Sequence, residues 1–367
     1  MVLTILINAL SVVIWLLILI RLDDNKEDKK STPIIIKFYF YGLLSIVVAS
    51  FLYWLTGFAS SIFFIDNCYI DSFILDFLFV GPIEEFSKFI IFFLFSIREK
   101  SIKEPRDGML QAASVALAFA SVENLFYSWD YGITVLLVRS ALTVTGHIIY
   151  SSIWGFAYST VVYERICNRG RLSYEIIFGS LLPAAFLHGL YDFFIDIGLF
   201  VSAVILNITV LAISLIIYRV LVKNSPFTKF PLREYRKAIP ILKLGLKSHP
   251  ESFVLNNRIA LFYLYTGLYT EALYHLEKCV AVQPHNPFIK CYLGVTLFIL
   301  GDDDKGKKLL DEGLSRIYGE RRSYLKKRIK DAVIDRRLQT QVLAIIKEEP
   351  DRLSITEYRR KGKMALS

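Results

Sequence analysis

Residues 2–20 read VLTILINALSVVIWLLILI, a run of 19 residues without a charged side chain. An α-helix rises about 1.5 Å per residue, so about 20 apolar residues cross the ~30 Å hydrocarbon core of a bilayer. The run has no basic region before it and no small-residue cleavage site after it, so we interpret it as a retained membrane anchor rather than a signal peptide. The opening stretch therefore predicts a membrane protein.

Similar apolar runs recur through the first 223 residues. Together they predict seven membrane spans, at about 2–20, 34–57, 71–97, 108–128, 133–162, 174–195 and 199–222. Of the 43 Lys and Arg residues, 16 lie in 1–223 and the remaining 27 lie in 224–367. This asymmetry excludes a single soluble domain and a disordered chain. We therefore predict an all-α fold, in which a polytopic transmembrane helix bundle is followed by a water-soluble helical segment.

Basic residues follow alternate spans. The loops after the first, third and fifth spans each carry Lys or Arg, whereas the loops after the second, fourth and sixth carry none. Lys and Arg in short loops accumulate on the cytoplasmic side of a membrane. The alternation predicts an N-terminus outside the cell, seven spans and a cytoplasmic C-terminal domain. We expect a multi-pass protein of a prokaryotic cytoplasmic membrane.

The C-terminal segment has a period of 34 residues. The pairs separated by this distance include Pro250 with Pro284, Tyr235 with Tyr269, and Gly267 with Gly301. A 34-residue period is typical of tetratricopeptide (TPR) helix pairs. We predict TPR-like repeats over 224–318, a helical cap with a basic tail over 319–367, and a cytoplasmic protein partner bound by the repeats. No nucleic-acid recognition motif is found, and basic charge beside a membrane commonly faces anionic lipid, so nucleic acid is not an expected partner.

Ionisable side chains interrupt four of the predicted spans. They are Glu84, Glu85 and Lys88 in the third span, Glu123 in the fourth, Arg139 and His147 in the fifth, and His188 and Asp192 in the sixth. A charge at the bilayer centre costs about 2.5–3.5 kcal/mol, so these groups must face one another. One such residue alone is often structural. Four spans that each supply one or more favour either a hydrolytic site or an ion or proton pathway.

The spacing of these residues along each helix predicts their pairing. Lys88 lies one turn from both Glu84 and Glu85, so it can neutralise one carboxylate and leave the other without a partner on its own helix. His188 and Asp192 are four residues apart, so the carboxylate can orient the imidazole.

The same residues form ordered motifs that resemble the PrsW family of intramembrane proteases, within the wider superfamily of CAAX-prenyl endopeptidases and bacteriocin-immunity proteins. The motifs are GPIEEFSKF with EExxK at 84–88, LAFASVENLFY with FxxxE at 119–123, TGHIIYSSIWG around residue 147, and FLHGLYDF with HxxxD at 188–192. The resemblance covers about 75–200 within the transmembrane domain at 1–223. It implies peptide-bond hydrolysis in the membrane by Glu84, Glu85, His147 and His188, supported by Lys88, Asn124, Arg139 and Asp192.

Two mechanisms remain open from the sequence. A partly desolvated glutamate, Glu84 or Glu85, would serve as base and then acid. His147 and His188 would either ligate a divalent metal with Glu123, for which Zn²⁺ is the expected ion, or bind water and the oxyanion directly in a metal-free glutamate/histidine hydrolase. No HExxH helix is present to decide between them.

The expected substrate is a membrane protein, and the resemblance suggests an anti-sigma factor or a similar regulator. The alternative is a non-proteolytic membrane scaffold with a TPR docking module, in which the polar residues form a structural network. A proton-coupled transporter is less favoured, because the spans show no inverted repeat.

Overall fold

A computed structural model describes residues 2–23, 31–62, 67–168, 173–227 and 230–317. Every regular element in these ranges is helical. The contacts divide the chain into two compact units, with the division between residues 228 and 229. The cap and basic tail predicted over 319–367 lie outside the described residues.

The helices of the first unit correspond to the predicted apolar runs. They are α1 (Val2–Leu22), α2 (Ser31–Ile62), α3 (Cys68–Leu75), α4 (Gly81–Glu99), α5 (Pro105–Tyr131), α6 (Ile133–Ala141), α7 (Thr143–Asn168), α8 (Tyr174–Gly179), α9 (Leu181–Asp196) and α10 (Phe200–Asn224). Within the described residues, six segments are long and apolar enough to cross a membrane. The predicted third span, 71–97, is helical but is not among them, because its charged side chains lower its mean hydropathy.

Two of the six apolar segments contain a break. Helix α8 ends at Gly179 because Pro183 has no N–H to donate to the Gly179 carbonyl, and α9 begins two residues later. Helices α6 and α7 are separated at Leu142. The Leu142 carbonyl accepts a hydrogen bond from Asn207 Nδ2 on α10, at 3.1 Å. The missing N–H of Pro183 accounts for the first break, whereas the Leu142 carbonyl still accepts its helical hydrogen bond from the Gly146 N–H, at 3.0 Å, in addition to the one from Asn207.

A π-helix at Asp76–Val80 leads directly into α4. Pro82 cannot donate a backbone hydrogen bond, and the Gly81 N–H donates to the Asp76 carbonyl five residues back. The Asp76 carbonyl also lies against α9, where a Cβ atom at Gly189 would be only 2.6 Å from it. Glycine at this position lets α9 approach the start of α4 backbone to backbone, which brings His188 beside the paired glutamates.

Helix α5 lies at the centre of the first unit, and its residues from Gly108 to Ser121 are all buried. It packs closely on α7, because a Cβ atom at Gly108 would lie 2.2 Å from the Gly155 carbonyl oxygen. Small side chains, including Ala112 and Ala116, continue this tightly packed face. The packing fixes the far end of α5, which carries Glu123, relative to the helix that carries His147.

The second unit consists of successive packed helices. They are α11 (Tyr235–Ser248), α12 (Phe253–Thr266), α13 (Tyr269–Val282), α14 (Pro287–Leu300) and α15 (Asp303–Ser315). Helices α11, α13 and α15 begin at 235, 269 and 303, and α12 and α14 begin at 253 and 287, so each start recurs after 34 residues. Helices α14 and α15 pack closely at Gly294 and Gly306, where a Cβ atom at Gly294 would lie 2.8 Å from the Gly306 carbonyl oxygen.

Candidate active site

Glu85 is fully buried on α4, and both of its carboxylate oxygens are hydrogen-bonded. Oε1 lies 2.5 Å from Lys88 Nζ and 2.9 Å from His188 Nδ1. Oε2 accepts hydrogen bonds from Ser151 Oγ and Trp154 Nε1, each at 2.9 Å. Four donors from three helices therefore hold this carboxylate. Such a group is well suited to orienting its neighbours and poorly placed to take a proton from water.

Lys88 is the cation that was expected to neutralise one of the two glutamates. Its ammonium group is fully buried and binds Glu85 rather than Glu84. Nζ also lies 3.1 Å from His147 Nδ1, and it sits 4.9 Å from the centre of the Phe119 ring. Because an ammonium group can only donate, His147 Nδ1 accepts this hydrogen bond.

Glu84 is buried but much less constrained than Glu85. Oε1 accepts a hydrogen bond from Tyr53 Oη at 3.0 Å. Oε2 has no hydrogen-bond partner in the described part of the chain. It lies 3.6 Å from His188 Nε2 and 3.9 Å from His147 Nδ1. The spacing argument expected one glutamate to have no partner on its own helix, and in the structure this residue is Glu84.

His188 takes its orientation from Glu85. The carboxylate can only accept, so the hydrogen between the two groups is on His188 Nδ1. Nε2, on the opposite side of the ring, faces Glu84 Oε2 at 3.6 Å. Asp192 Oδ2 lies 3.3 Å from the same nitrogen, and Asp192 is the more exposed of the two carboxylates, at 25% of its side chain. A carboxylate that holds one imidazole nitrogen while the other nitrogen faces further carboxylates is an arrangement common for metal-binding histidines.

His147 lies against His188, with the two rings 4.9 Å apart and nearly perpendicular. Its Nε2 is 2.9 Å from Glu123 Oε2, although neither atom is in hydrogen-bonding geometry. Glu123 Oε1 lies 2.8 Å from Arg139 Nη2, and Arg139 Nε donates to Asn124 Oδ1 at 3.0 Å. Arg139 also stacks 3.7 Å above the Tyr127 ring. Glu123 is therefore held between an imidazole and a guanidinium group.

The structure brings together all nine side chains that the sequence assigned to the site. The three whose ligand atoms lie within 4.8 Å of one another are Glu84, His147 and His188. The sequence had named Glu123 as the carboxylate of a metal set, whereas the described residues group Glu84 with the two imidazoles. Glu85 and Lys88 are completely buried, while Glu123 and Asp192 retain 17% and 25% exposure of their side chains. The cluster is therefore open to its surroundings on the side of Glu123 and Asp192.

Sequence reasoning missed three residues of this cluster: Tyr53, Ser151 and Trp154. Ser151 follows His147 by four residues and Trp154 follows it by seven, so both lie on the helix face that bears the imidazole. That spacing was a usable signal. Tyr53 lies on α2, outside the motif-bearing segments, and no local pattern distinguishes it from other aromatic residues of an apolar helix.

Residues 31–220, just over half of the chain, match the family described as PrsW family intramembrane metalloprotease. The chain belongs to this family. The match includes every helix that contributes to the cluster. The PrsW-family region thus coincides with the part of the first unit in which the Glu/His/His group is assembled.

Curated relatives agree with the family match. A protein named Protease PrsW from Shouchella clausii is 33% identical over 120 residues, which is 33% of this chain and 54% of the relative. Protease PrsW from Bacillus subtilis is 32% identical over 122 residues, which is 33% of this chain and 54% of the relative. Protease PrsW from Oceanobacillus iheyensis is 27% identical over 169 residues, which is 46% of this chain and 73% of the relative. The chain spans about half the length of most of these relatives, and no solved structure matches it.

Proposed function

We propose that this protein is an intramembrane endopeptidase that hydrolyses a peptide bond in a membrane protein. The observation that carries the proposal is the unequal state of the two adjacent glutamates. Glu85 is saturated by four donors, whereas Glu84 has one oxygen without a hydrogen-bond partner beside two buried imidazoles. A purely structural network would be expected to satisfy both carboxylates.

One residue of the cluster transfers protons, and the others hold the reacting side chains in place. Glu84 Oε2 takes a proton from the attacking water and later delivers it to the leaving amine nitrogen. Glu85 fixes His188 with its Nε2 towards the reacting atoms, and Lys88 holds the His147 ring. Arg139 and Asn124 hold Glu123 at the exposed side of the cluster. This assignment makes Glu84, rather than Glu85, the general base.

The chemistry of the donor set fits a divalent metal. Glu84, His147 and His188 supply one carboxylate and two imidazoles, and the carboxylate has an orphaned buried oxygen. We propose that His147 and His188 hold Zn²⁺ with Glu123, whose Oε2 is also without a hydrogen-bond partner in the described residues and lies 2.9 Å from His147 Nε2, which leaves Glu84 as the base. Glu84 is the alternative carboxylate, and in that case its Oε2 binds the ion and is not the base. The ion would supply a Lewis acid that polarises the scissile carbonyl. In the metal-free alternative, the imidazoles themselves would bind water and the developing oxyanion.

Metal content separates these alternatives without an activity assay. The purified protein is dialysed against zinc, and bound metal is measured by mass spectrometry for wild type, His188→Ala, Glu84→Gln and Glu123→Gln. We expect about one zinc per chain in wild type, a loss in His188→Ala and Glu123→Gln, and retention in Glu84→Gln. Loss in Glu84→Gln with retention in Glu123→Gln would make Glu84 the zinc ligand and overturn its role as base. Wild type that binds no zinc would remove zinc from the mechanism.

A proteomic comparison of membranes tests the proposed activity. Cells express wild type, Glu84→Gln or the control Glu175→Gln, which changes an exposed glutamate of α8 away from the cluster. We expect at least one membrane protein to be shortened in wild type and control but intact with Glu84→Gln. The same fragments in all three would refute the protease and favour the scaffold, whose network does not depend on a free Glu84 oxygen.

We further propose a seven-span topology with the N-terminus outside the cell, in which α3, the π-helix and α4 form the third span. The alternating basic loops support this topology. The substrate would be a membrane-anchored regulator such as an anti-sigma factor. Placement within the wider CAAX-prenyl endopeptidase superfamily is part of the same proposal.

The second unit is proposed to be a cytoplasmic TPR-like module that recruits a protein partner or the substrate's tail. The recurrence of helix starts every 34 residues supports a repeat of this kind. Small buried residues also recur at this interval, at Ala238, Ala272 and Gly306. Pull-down from a cytoplasmic extract with wild type and with Gly306→Leu, which blocks close helix packing, tests this role. Equal capture by both variants would contradict it.

A further inference from the structure

Tyr53 reaches the site from α2, a helix that carries none of the sequence motifs. Its hydroxyl donates to Glu84 Oε1 at 3.0 Å, while 36% of the residue remains exposed. The phenol ring therefore sits at the edge of the cluster with its hydroxyl turned inward. In this position Tyr53 can act on Glu84 without belonging to the buried Glu85–Lys88 network.

Packing one helical turn away fixes the position of Tyr53. Ala49 precedes it by four residues and is buried in an apolar cluster with Ile83 and Phe119. Ile83 directly precedes Glu84, so the apolar contact and the hydrogen bond join the same two helices at adjacent levels. The small side chain of Ala49 allows this approach.

The hydrogen bond has a specific consequence for Glu84. The terminal torsion of a glutamate is soft, so a carboxylate held by nothing else would rotate between several orientations. With Oε1 held by Tyr53, the other oxygen lies 3.6 Å from His188 Nε2 and 3.9 Å from His147 Nδ1. A single donor from α2 thus holds the carboxylate in the orientation that turns its other oxygen towards the imidazoles.

We propose that Tyr53 is a positioning residue that holds one oxygen of Glu84 so that the other, Oε2, faces the imidazoles and transfers the proton. The inference rests on the proposed peptidase function and deepens it. As the water oxygen bonds to the carbonyl carbon, its proton passes to Oε2. The proton then moves to the amine nitrogen as the C–N bond breaks. Tyr53 keeps its own proton throughout and holds Oε1 during both transfers.

Tyr53→Phe removes only the hydroxyl and tests this role. The substrate is the membrane protein whose cleavage depends on Glu84 in the proteomic comparison, reconstituted with the full chain. One lost hydrogen bond to a charged group corresponds to a fall in kcat of about 10- to 100-fold. KM should stay within about twofold, because a positioning residue does not hold the substrate. Tyr69→Phe, which changes an exposed tyrosine of α3, should cleave at the wild-type rate.

A stability cycle examines the same contact without substrate. Melting temperatures are measured for wild type, Tyr53→Phe, Glu84→Ala and the double variant. We expect the two single effects to be non-additive, because either change removes the same hydrogen bond. Strictly additive changes in melting temperature would show that Tyr53 and Glu84 do not share this hydrogen bond.

The outcomes separate the inference from the function on which it rests. Wild-type kcat in Tyr53→Phe, or a raised KM with unchanged kcat, would overturn the positioning role and leave the peptidase intact. If wild type and Glu84→Gln show no difference in cleavage of any membrane protein, the peptidase itself is refuted. The stability cycle would then still decide whether Tyr53 holds Glu84.

Discussion

Replacing each of the two adjacent glutamates by glutamine should have different effects: Glu85→Gln should destabilise the first unit, whereas Glu84→Gln should abolish cleavage with little loss of stability. Glu85→Gln keeps the shape of the side chain but turns one acceptor oxygen into a donor NH₂ group. That group would face donors that now bind Glu85, among them Trp154 Nε1 and Ser151 Oγ. The buried Lys88 ammonium would also lose its counter-charge. Glu84→Gln removes neither a buried counter-ion nor the acceptor used by Tyr53.

The expected magnitudes follow from these contacts. Removing one partner of a buried ion pair typically costs about 3–5 kcal/mol, because the remaining charge is uncompensated. For a unit of about 200 residues, 1 kcal/mol changes the melting temperature by about 2–4 °C, so Glu85→Gln should melt roughly 6–20 °C below wild type. Glu84→Gln should change the free energy of unfolding by less than about 1 kcal/mol, a melting shift of at most about 4 °C. It should nevertheless lose cleavage.

Tryptophan fluorescence is a suitable assay in detergent. The chain has four tryptophans, at positions 15, 54, 129 and 154, and all of them lie in the first unit, so the signal reports that unit alone. Glu175→Gln serves as the control for an exposed glutamate and should melt as wild type does. Equal melting shifts for Glu84→Gln and Glu85→Gln, or a larger shift for Glu84→Gln, would refute the division of roles between them.

Two further predictions concern packing and pH. Gly189→Ala should destabilise the first unit by about 1–3 kcal/mol and slow cleavage, because its Cβ would lie 2.6 Å from the Asp76 carbonyl oxygen. The control is Gly179→Ala, whose Cβ would meet nothing within 4 Å. Equal melting temperatures of the two variants would contradict the close approach of α9 to Asp76. In the second unit, burial and the nearby Lys278 and Lys243 lower the pKa of His275 to about 4. The unfolded chain therefore takes up a proton at His275 at a higher pH, near 6.5, than the folded chain does. The stability present above about pH 6.5 should fall by an amount on the order of 1–2 kcal/mol as the pH falls towards 4. Hydrogen exchange of α12 and α13, corrected for intrinsic rates, should show this loss in wild type but not in His275→Gln, and equal pH dependence in both would contradict it.

Much of the architecture follows directly from the sequence. The apolar runs correspond to the helices of the first unit because a helix is the only open-chain structure that satisfies its own backbone in hydrocarbon. The motifs indicated which residues form the cluster because charged groups in apolar helices must face one another. Breaks such as the one at Ser180 were not predicted, although Pro183 was a visible signal for it.

The roles within the cluster depend on tertiary structure. Lys88 lies one turn from both Glu84 and Glu85, so spacing alone cannot say which carboxylate it neutralises. The choice is made by Ser151, Trp154 and His188, which converge on Glu85 from two other helices. Tyr53 likewise holds Glu84 from a helix without a motif. Periodicity within one helix fixes which residues share a face, but the partner of each oxygen depends on how separate helices pack.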